Sequence, residues 1–151
     1  MQFMRGFVAL MLALTPIAAA RATDDDTRSV ADMAGHARVL IAFARSLDDT
    51  RMVRQRAEIA RFAIGAAQRD LMFVQVDLTH VIGATDKAAQ LRAHYGVPAN
   101  AYRTLLIDKN GKLAAAARRP LDADNIAQAI DALPSRQEEV RRAREGRPTV
   151  G

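Results

Sequence analysis

Three kinds of residue in this sequence could do chemistry, and none stands in a pattern that completes a reaction. His36, His80 and His94 lie 44 and 14 positions apart. No two share a helix face at i, i+4, and without cysteine a zinc site would need distant carboxylates. They read as surface or internally satisfied histidines. Asp24-Asp25-Asp26 and Asp48-Asp49 offer adjacent carboxylates, but the spaced ligands of a calcium loop are missing. Solvation of a leader and capping of a helix account for both runs. Ser29 and Ser46 sit in no nucleophile elbow. We therefore assign no catalytic residue, no metal site and no cofactor. The chain has no cysteine, which excludes thiol-disulfide exchange and peroxide reduction by its own residues, since both need a thiolate.

Any site must be positioned by elements that follow a leader. Met1 to Arg5 make a short basic start, and Gly6 to Ala20 are an apolar run ended by Arg21. The run falls short of the roughly 20 apolar residues of a membrane span, and Ala20-Arg21-Ala22 satisfies the small-residue rule for cleavage. Residues 1–22 read as a signal peptide, with the mature chain starting near Thr23 and a flexible leader over 23–35. With no cysteine for a lipid anchor, the product is expected to be soluble in the periplasm or secreted, with no stable membrane insertion. Oxidising compartments are where small domains gain from disulfides; this one must rest on its core alone. A chain of 151 residues, 50% of them hydrophobic, suits one domain, placed at 36–134.

The formal charge of +5 falls by two when Arg5 and Arg21 leave with the leader. A basic tail over 135–151 carries Arg136, Arg141, Arg142, Arg144 and Arg147, partly offset by Glu138, Glu139 and Glu145. It has no interleaved aromatics, so nucleic acid is not an expected partner.

Val39 to Ala44 is a continuous apolar run, as in a strand buried on both faces of a parallel sheet. Asp48, Asp49 and Thr50 cap a helix whose sheet-facing stripe is expected to be Val53, Ala57, Ala60, Ile64 and Ala67, with Arg51, Arg54, Glu58 and Arg61 toward solvent. Leu71 to Val76 is the second strand, and the segment from Asp77 to Asp86 has turn character. A helix through Ala88, Leu91 and Tyr95 stops at Gly96. Thr104 to Asp108 is a strand, Asn110-Gly111 a two-residue hairpin turn, and Lys112 toward Arg118 the returning strand. The last core helix carries Ile126, Ile130 and Leu133 and ends at Pro134. Ser135-Arg136-Gln137-Glu138 fits a capping box for a further short helix, which with Val140 as its one large apolar residue is expected to add little stability. This order implies parallel pairing first and an antiparallel pair last: an α/β three-layer sandwich, with a mixed central sheet and helices on both faces.

The words Val39 to Ala44, Phe73-Val74-Gln75-Val76-Asp77 and Leu91 to Leu113 resemble the thioredoxin superfamily, in which similar stretches form the second helix, the strand after a cis-proline and a hairpin. The resemblance implies a thioredoxin-like fold over about Val39 to Leu133. It departs at the redox elements: the two cysteine positions fall near Leu47 and Thr50, and Arg103 replaces the proline. More narrowly, Ala44 to Asp49, Leu105 to Lys109 and Asp131 to Gln137 resemble an uncharacterised family of cysteine-free, thioredoxin-like secreted domains. Relatives occur in vertebrate extracellular-matrix proteins of the sushi-repeat and coiled-coil-domain-containing kinds. That resemblance implies extracellular binding rather than catalysis.

Two readings of function follow: a protein- or ligand-binding module, or an unrecognised enzyme or accessory factor to a periplasmic redox or envelope system. For the module, the expected binding residues are Arg45, Ser46, Tyr102 and Arg103, where the loops before the first helix and the third long strand meet at the carboxyl ends of strands. The expected partner is a periplasmic or extracellular protein or a small anion. The competing arrangement pairs both arginines internally with Asp48 and Asp49. Intact-mass measurement of the exported protein should show a first residue within about two positions of Thr23; retention of the whole leader in washed membranes would overturn the released reading.

Overall fold

A computed structural model describes residues 28–146, so the expected signal peptide over 1–22, its cleavage site and Arg147 lie outside the described residues. In chain order the elements are β1 (Arg38–Phe43), α1 (Thr50–Arg61), α2 (Ala63–Ala67), β2 (Leu71–Val76), β3 (Val81–Ile82), α3 (Ala88–Tyr95), β4 (Arg103–Ile107), β5 (Leu113–Ala117), α4 (Ala123–Asp131) and α5 (Pro134–Glu145). The sheet runs β3-β2-β1-β4-β5. β1 pairs parallel with β2 and antiparallel with β4, which makes it the central strand and explains its unbroken apolar sequence.

Alternation along the strands divides the core between the two faces. Val39, Ile41 and Phe43 of β1 join Val74, Val76, Leu105 and Ile107 beneath Ala88 and Leu91 of α3. Leu40 and Leu106 face the other way, against Ala66, Ile126 and Ile130, and Ala42 packs with Met52 and Tyr102. Val30 and Met33 are buried in the first cluster, and the Val30 amide donates to Asp86 at 2.7 Å. The fold therefore begins at the turn around Val30 to Ala34, inside the stretch expected to be a flexible leader.

The first helix turns a different face to the sheet from the one its hydropathy suggests. Met52, Gln55 and Glu58 are buried and Ile59 packs against the cluster of Leu40 and Ile126, whereas Val53 is 48% exposed and Ile64, in the separate short helix α2, 78% exposed. Two polar residues lie on the inner face because they serve backbone groups 65 and 66 residues away: Gln55 bonds Leu121 through both its carbonyl and its amide, and Glu58 accepts from the Ala123 amide at the start of α4. An apolar-only pattern cannot register such a face.

Two turns also differ from expectation. The segment after β2 contains β3, an edge pair of residues in register Val76↔Val81. The hairpin between β4 and β5 is a three-residue loop: the Gly111 amide donates to the Asp108 carbonyl, Gly111 takes φ +77°, and the Asp108 amide donates to the Lys112 carbonyl at 2.9 Å. Asn110 has negative φ, so the two-residue turn with both central residues left-handed does not form.

The third difference is the tail. Pro134 opens α5 at its first turn, and Ser135, expected as a cap, instead donates to Asp108 at 2.9 Å. Arg38, with 0% of its side chain exposed, uses all five guanidinium N–H groups: Nε to Asp108, Nη1 to the Arg69 carbonyl and Glu139, and Nη2 to Ser135 and Glu139. Lys109 adds a bond from Nζ to Glu139 at 2.9 Å and another to Asp70 at 2.7 Å. Partial burial opposes ionisation of Glu139, but hydrogen bonds from Arg38 and Lys109 outweigh it and hold its pKa near about 2, against an ordinary 4.5. The tail helix is thus tied to the central strand by charge, not by apolar contact.

Because the folded pKa of Glu139 lies below its ordinary value, its stabilisation is present above pH 4.5 and is lost as pH falls toward about 2. Glu139→Gln should cost about 1–3 kcal/mol at pH 7 and flatten the acid limb of a pH–stability curve. Denaturant melts of both proteins from pH 7 to pH 2 check it; parallel curves would show that α5 does not hold Arg38.

Candidate functional site

At the carboxyl end of β1 the chain leaves the sheet at Ala44 and reaches α1 six residues later, at Thr50. Ser46 bends this loop, its Oγ accepting from the Asp48 amide and its carbonyl from the Asp49 amide, each at 3.2 Å. Asp49 is the N-cap of α1, accepting from the Arg51 amide at 2.9 Å. Its carboxylate also takes a two-pronged contact from the Arg51 guanidinium, at 3.0 and 2.7 Å. The Arg51 hydrogen bond holds Asp49 below the usual carboxylate range, and the same bond raises Arg51.

Arg92 of α3 fixes the surrounding loops from below. Its buried guanidinium donates to the carbonyls of Ala44, after β1, Asp77, after β2, and Pro98, ahead of β4. It lies 5.5 Å from the Phe43 ring. Burial lowers its pKa, and the charge of Asp77 works the other way. No spacing rule in the sequence marks Arg92, since its three partners come from three separate loops.

The expected binding residues divide. The register Phe43↔Arg103 brings Arg45 and Arg103 out at the same end of the sheet, with Arg45 and Ser46 exposed and Arg103 half-buried. Arg103 donates to the Tyr102 carbonyl at 2.8 Å. Tyr102 does not join them: it is 2% exposed, packs with Ala42 and Met52, and has its hydroxyl 3.1 Å from Thr104 Oγ1. Burial raises its pKa. It forms a floor beneath Arg51, whose guanidinium carbon is 5.0 Å from its ring centroid. The internal pairing of Arg45 and Arg103 with Asp48 and Asp49 is not the arrangement found: Asp49 is engaged by Arg51, and among the described residues neither arginine forms an ion pair with a carboxylate. Of the residues near which the redox cysteine positions were expected, Leu47 is half-buried and Thr50 is the first residue of α1.

The histidines do not converge. His80 is exposed, its Nδ1 3.2 Å from Asp77, and Asp77 also accepts from the backbone of Thr79 and His80 in a tight turn. His94 meets Tyr95 edge-on at 4.6 Å between centroids. Among the described residues no three potential metal ligands come together.

The family described as a domain of unknown function (DUF4174) matches residues 29–139. No curated protein matches the chain in sequence. Among solved structures, a reduced 2-Cys peroxiredoxin from Plasmodium vivax superposes with TM-score 0.54 at 15% identity, covering 72% of this chain and 83% of that one. The exposed lipoprotein thioredoxin Etrx1 of Streptococcus pneumoniae gives 0.50 at 19% identity, covering 69% and 90%. At these identities the likeness is one of fold, and the fold is thioredoxin-like.

The capping geometry separates two contributions of Asp49. Asp49→Ala should destabilise by about 1 kcal/mol through the lost cap, whereas Asp49→Asn keeps a capping oxygen and should cost less. Equal losses in thermal melts would mean that the Arg51 pair, not the cap, sets this loop.

Proposed function

The chain belongs to the family described as a domain of unknown function (DUF4174), and we propose that it is an exported binding module that keeps a thioredoxin-like framework and works without thiol chemistry. One observation carries the reading. At the carboxyl end of the central strand, where the resemblance places the cysteines of a thioredoxin-like enzyme near Leu47 and Thr50, this chain has no thiol, and Arg45 and Arg103 present guanidinium groups that no carboxylate of the described chain engages. Open α/β sheets take ligands at the carboxyl ends of their strands, and the guanidinium fork matches a carboxylate or other oxyanion. The Arg51 amide of α1 is already capped by Asp49, so recognition falls to these side chains rather than to the helix end. The fitting partner is a protein of the periplasm or exterior that offers an acidic segment, or a small anion.

Export is supported by the leader, through its basic start, short apolar run and Ala20-Arg21-Ala22 site. The resemblance of Ala44 to Asp49, Leu105 to Lys109 and Asp131 to Gln137 to an uncharacterised family of cysteine-free secreted domains supports a binding role outside the cell.

Capture from periplasmic extract on immobilised protein should recover one partner in stoichiometric amount. Arg45→Ala/Arg103→Ala should abolish the capture while leaving the melting temperature within about 2 °C, since neither side chain has an ion pair among the described residues. Unchanged capture by the double variant rejects the site, and turnover of a dithiol substrate by the wild type rejects the non-redox reading.

A further inference from the structure

The binding role at the β1 edge leaves unused a second basic surface, built by the tail helix. Arg136, Val140, Arg141 and Arg144 of α5, with Arg69 after α2 and Asp131 at the end of α4, line a cleft of about 630 Å³. The spacing along α5 explains the grouping, because residues three and four apart share one helix face. Of its four arginines, Arg69 pairs with Asp131, Arg136 with Glu139 and Arg141 with Glu138, and Arg144 forms no ion pair among the described residues. Asp131 gives both oxygens to Arg69, at 2.9 and 2.7 Å, and its nearest approach to Arg136 Nε is 3.7 Å, beyond hydrogen-bond reach.

Arg136 is consequently left short. Its Nε is buried without a hydrogen-bond partner, an arrangement that folded proteins rarely leave uncompensated, and its Nη1 turns to Glu139 at 3.3 Å. Arg69 is held rigid by the Gly65 carbonyl at 3.1 Å and by the Phe62 ring, 5.6 Å from its guanidinium carbon. Arg141 is braced by Glu138 on its own helix. Arg144 is exposed and forms no ion pair among the described residues.

We propose that this cleft is a binding site for a phosphate group carried on a small organic body. The unpaired Arg144 and the buried Arg136 Nε that lacks a hydrogen-bond partner favour an oxyanion, and the planar forks offer N–H donors to its oxygens. Arg144 closes on the phosphate from the open side, Arg69 and Arg136 supply fixed charge from the walls, and the Val140 methyls take the apolar part of the ligand. The volume lies within the usual range for small-molecule sites. A soluble phosphate ester and a phospholipid headgroup present the same oxygens, and the experiment separates them.

Inorganic phosphate and phenyl phosphate, titrated into the purified protein at low ionic strength and followed by calorimetry, should bind saturably, with phenyl phosphate the tighter. Added sodium chloride should weaken both. Arg144→Ala, which removes a side chain with no structural partner, should lower affinity about fivefold to tenfold at an unchanged melting temperature. Arg45→Ala/Arg103→Ala should leave the Arg144-dependent binding intact. Phosphatidylglycerol vesicles provide the other arm: sedimentation with them, and not with phosphatidylcholine, that Arg144→Ala abolishes identifies the headgroup as the source, while phosphate binding without sedimentation identifies a soluble ester. No saturable binding by about 10 mM, equal affinity in Arg144→Ala, or loss confined to the Arg45/Arg103 variant would overturn the site.

Discussion

The buried guanidinium of Arg38 is the constraint around which the rest of this structure is arranged. A charge taken out of water is tolerated only if it is matched and fully hydrogen-bonded, and Arg38 is both, through Asp108, Glu139, Ser135 and the Arg69 carbonyl. Meeting that requirement draws three parts of the chain to the first residue of the central strand: the turn before β2, the end of β4 and the first turns of α5. The pair is weak grounds for net stability, since two desolvated ions offset much of their attraction. Its effect is on geometry, because any displacement of α5 exposes an uncompensated charge.

The opposite end of the same strand is closed by a second buried arginine in another manner. Arg92 reaches three carbonyls and makes no ion pair among the described residues. An ionic knot thus holds the amino end of β1, while a neutral set of acceptors holds the loops at its carboxyl end. Gln55 and Glu58 act likewise on the other face, carrying α1 onto the segment that begins α4. In a chain without cysteine these polar ties do what disulfides do in many exported domains: they join segments far apart in sequence at fixed points.

This division of labour fits a domain that has the thioredoxin-like framework and none of its thiol chemistry. The loop between β1 and α1 keeps its helix cap through Asp49, and Arg51 fills the space over Tyr102, so the edge is a settled surface rather than an open reactive cleft. What it offers outward is charge, from Arg45 and Arg103. Charge is also what α5 offers on its outer face, and the same helix that secures Arg38 with Glu139 presents Arg141 and Arg144 to solvent.

The sequence by itself determined the features whose causes are local. The apolar run of β1, the bounds of β2 from Leu71 to Val76, the stop of α3 at left-handed Gly96, the cap at Asp49 and the layer order all follow from propensity, capping and periodicity over a few residues. The lack of thiol chemistry needs no structure, because no other residue supplies a thiolate. Tertiary structure alone decided which face of α1 is buried, that Tyr102 is floor rather than surface, that Gly111 closes a three-residue loop, and that the tail belongs to the fold. In most of these the deciding contact lies far along the chain: 66 residues from Gln55 to Leu121, 101 from Arg38 to Glu139. A hydrophobicity pattern records what a side chain avoids. It carries no trace of the distant backbone group or opposite charge that makes a buried polar side chain acceptable, and only the folded chain brings that partner within reach.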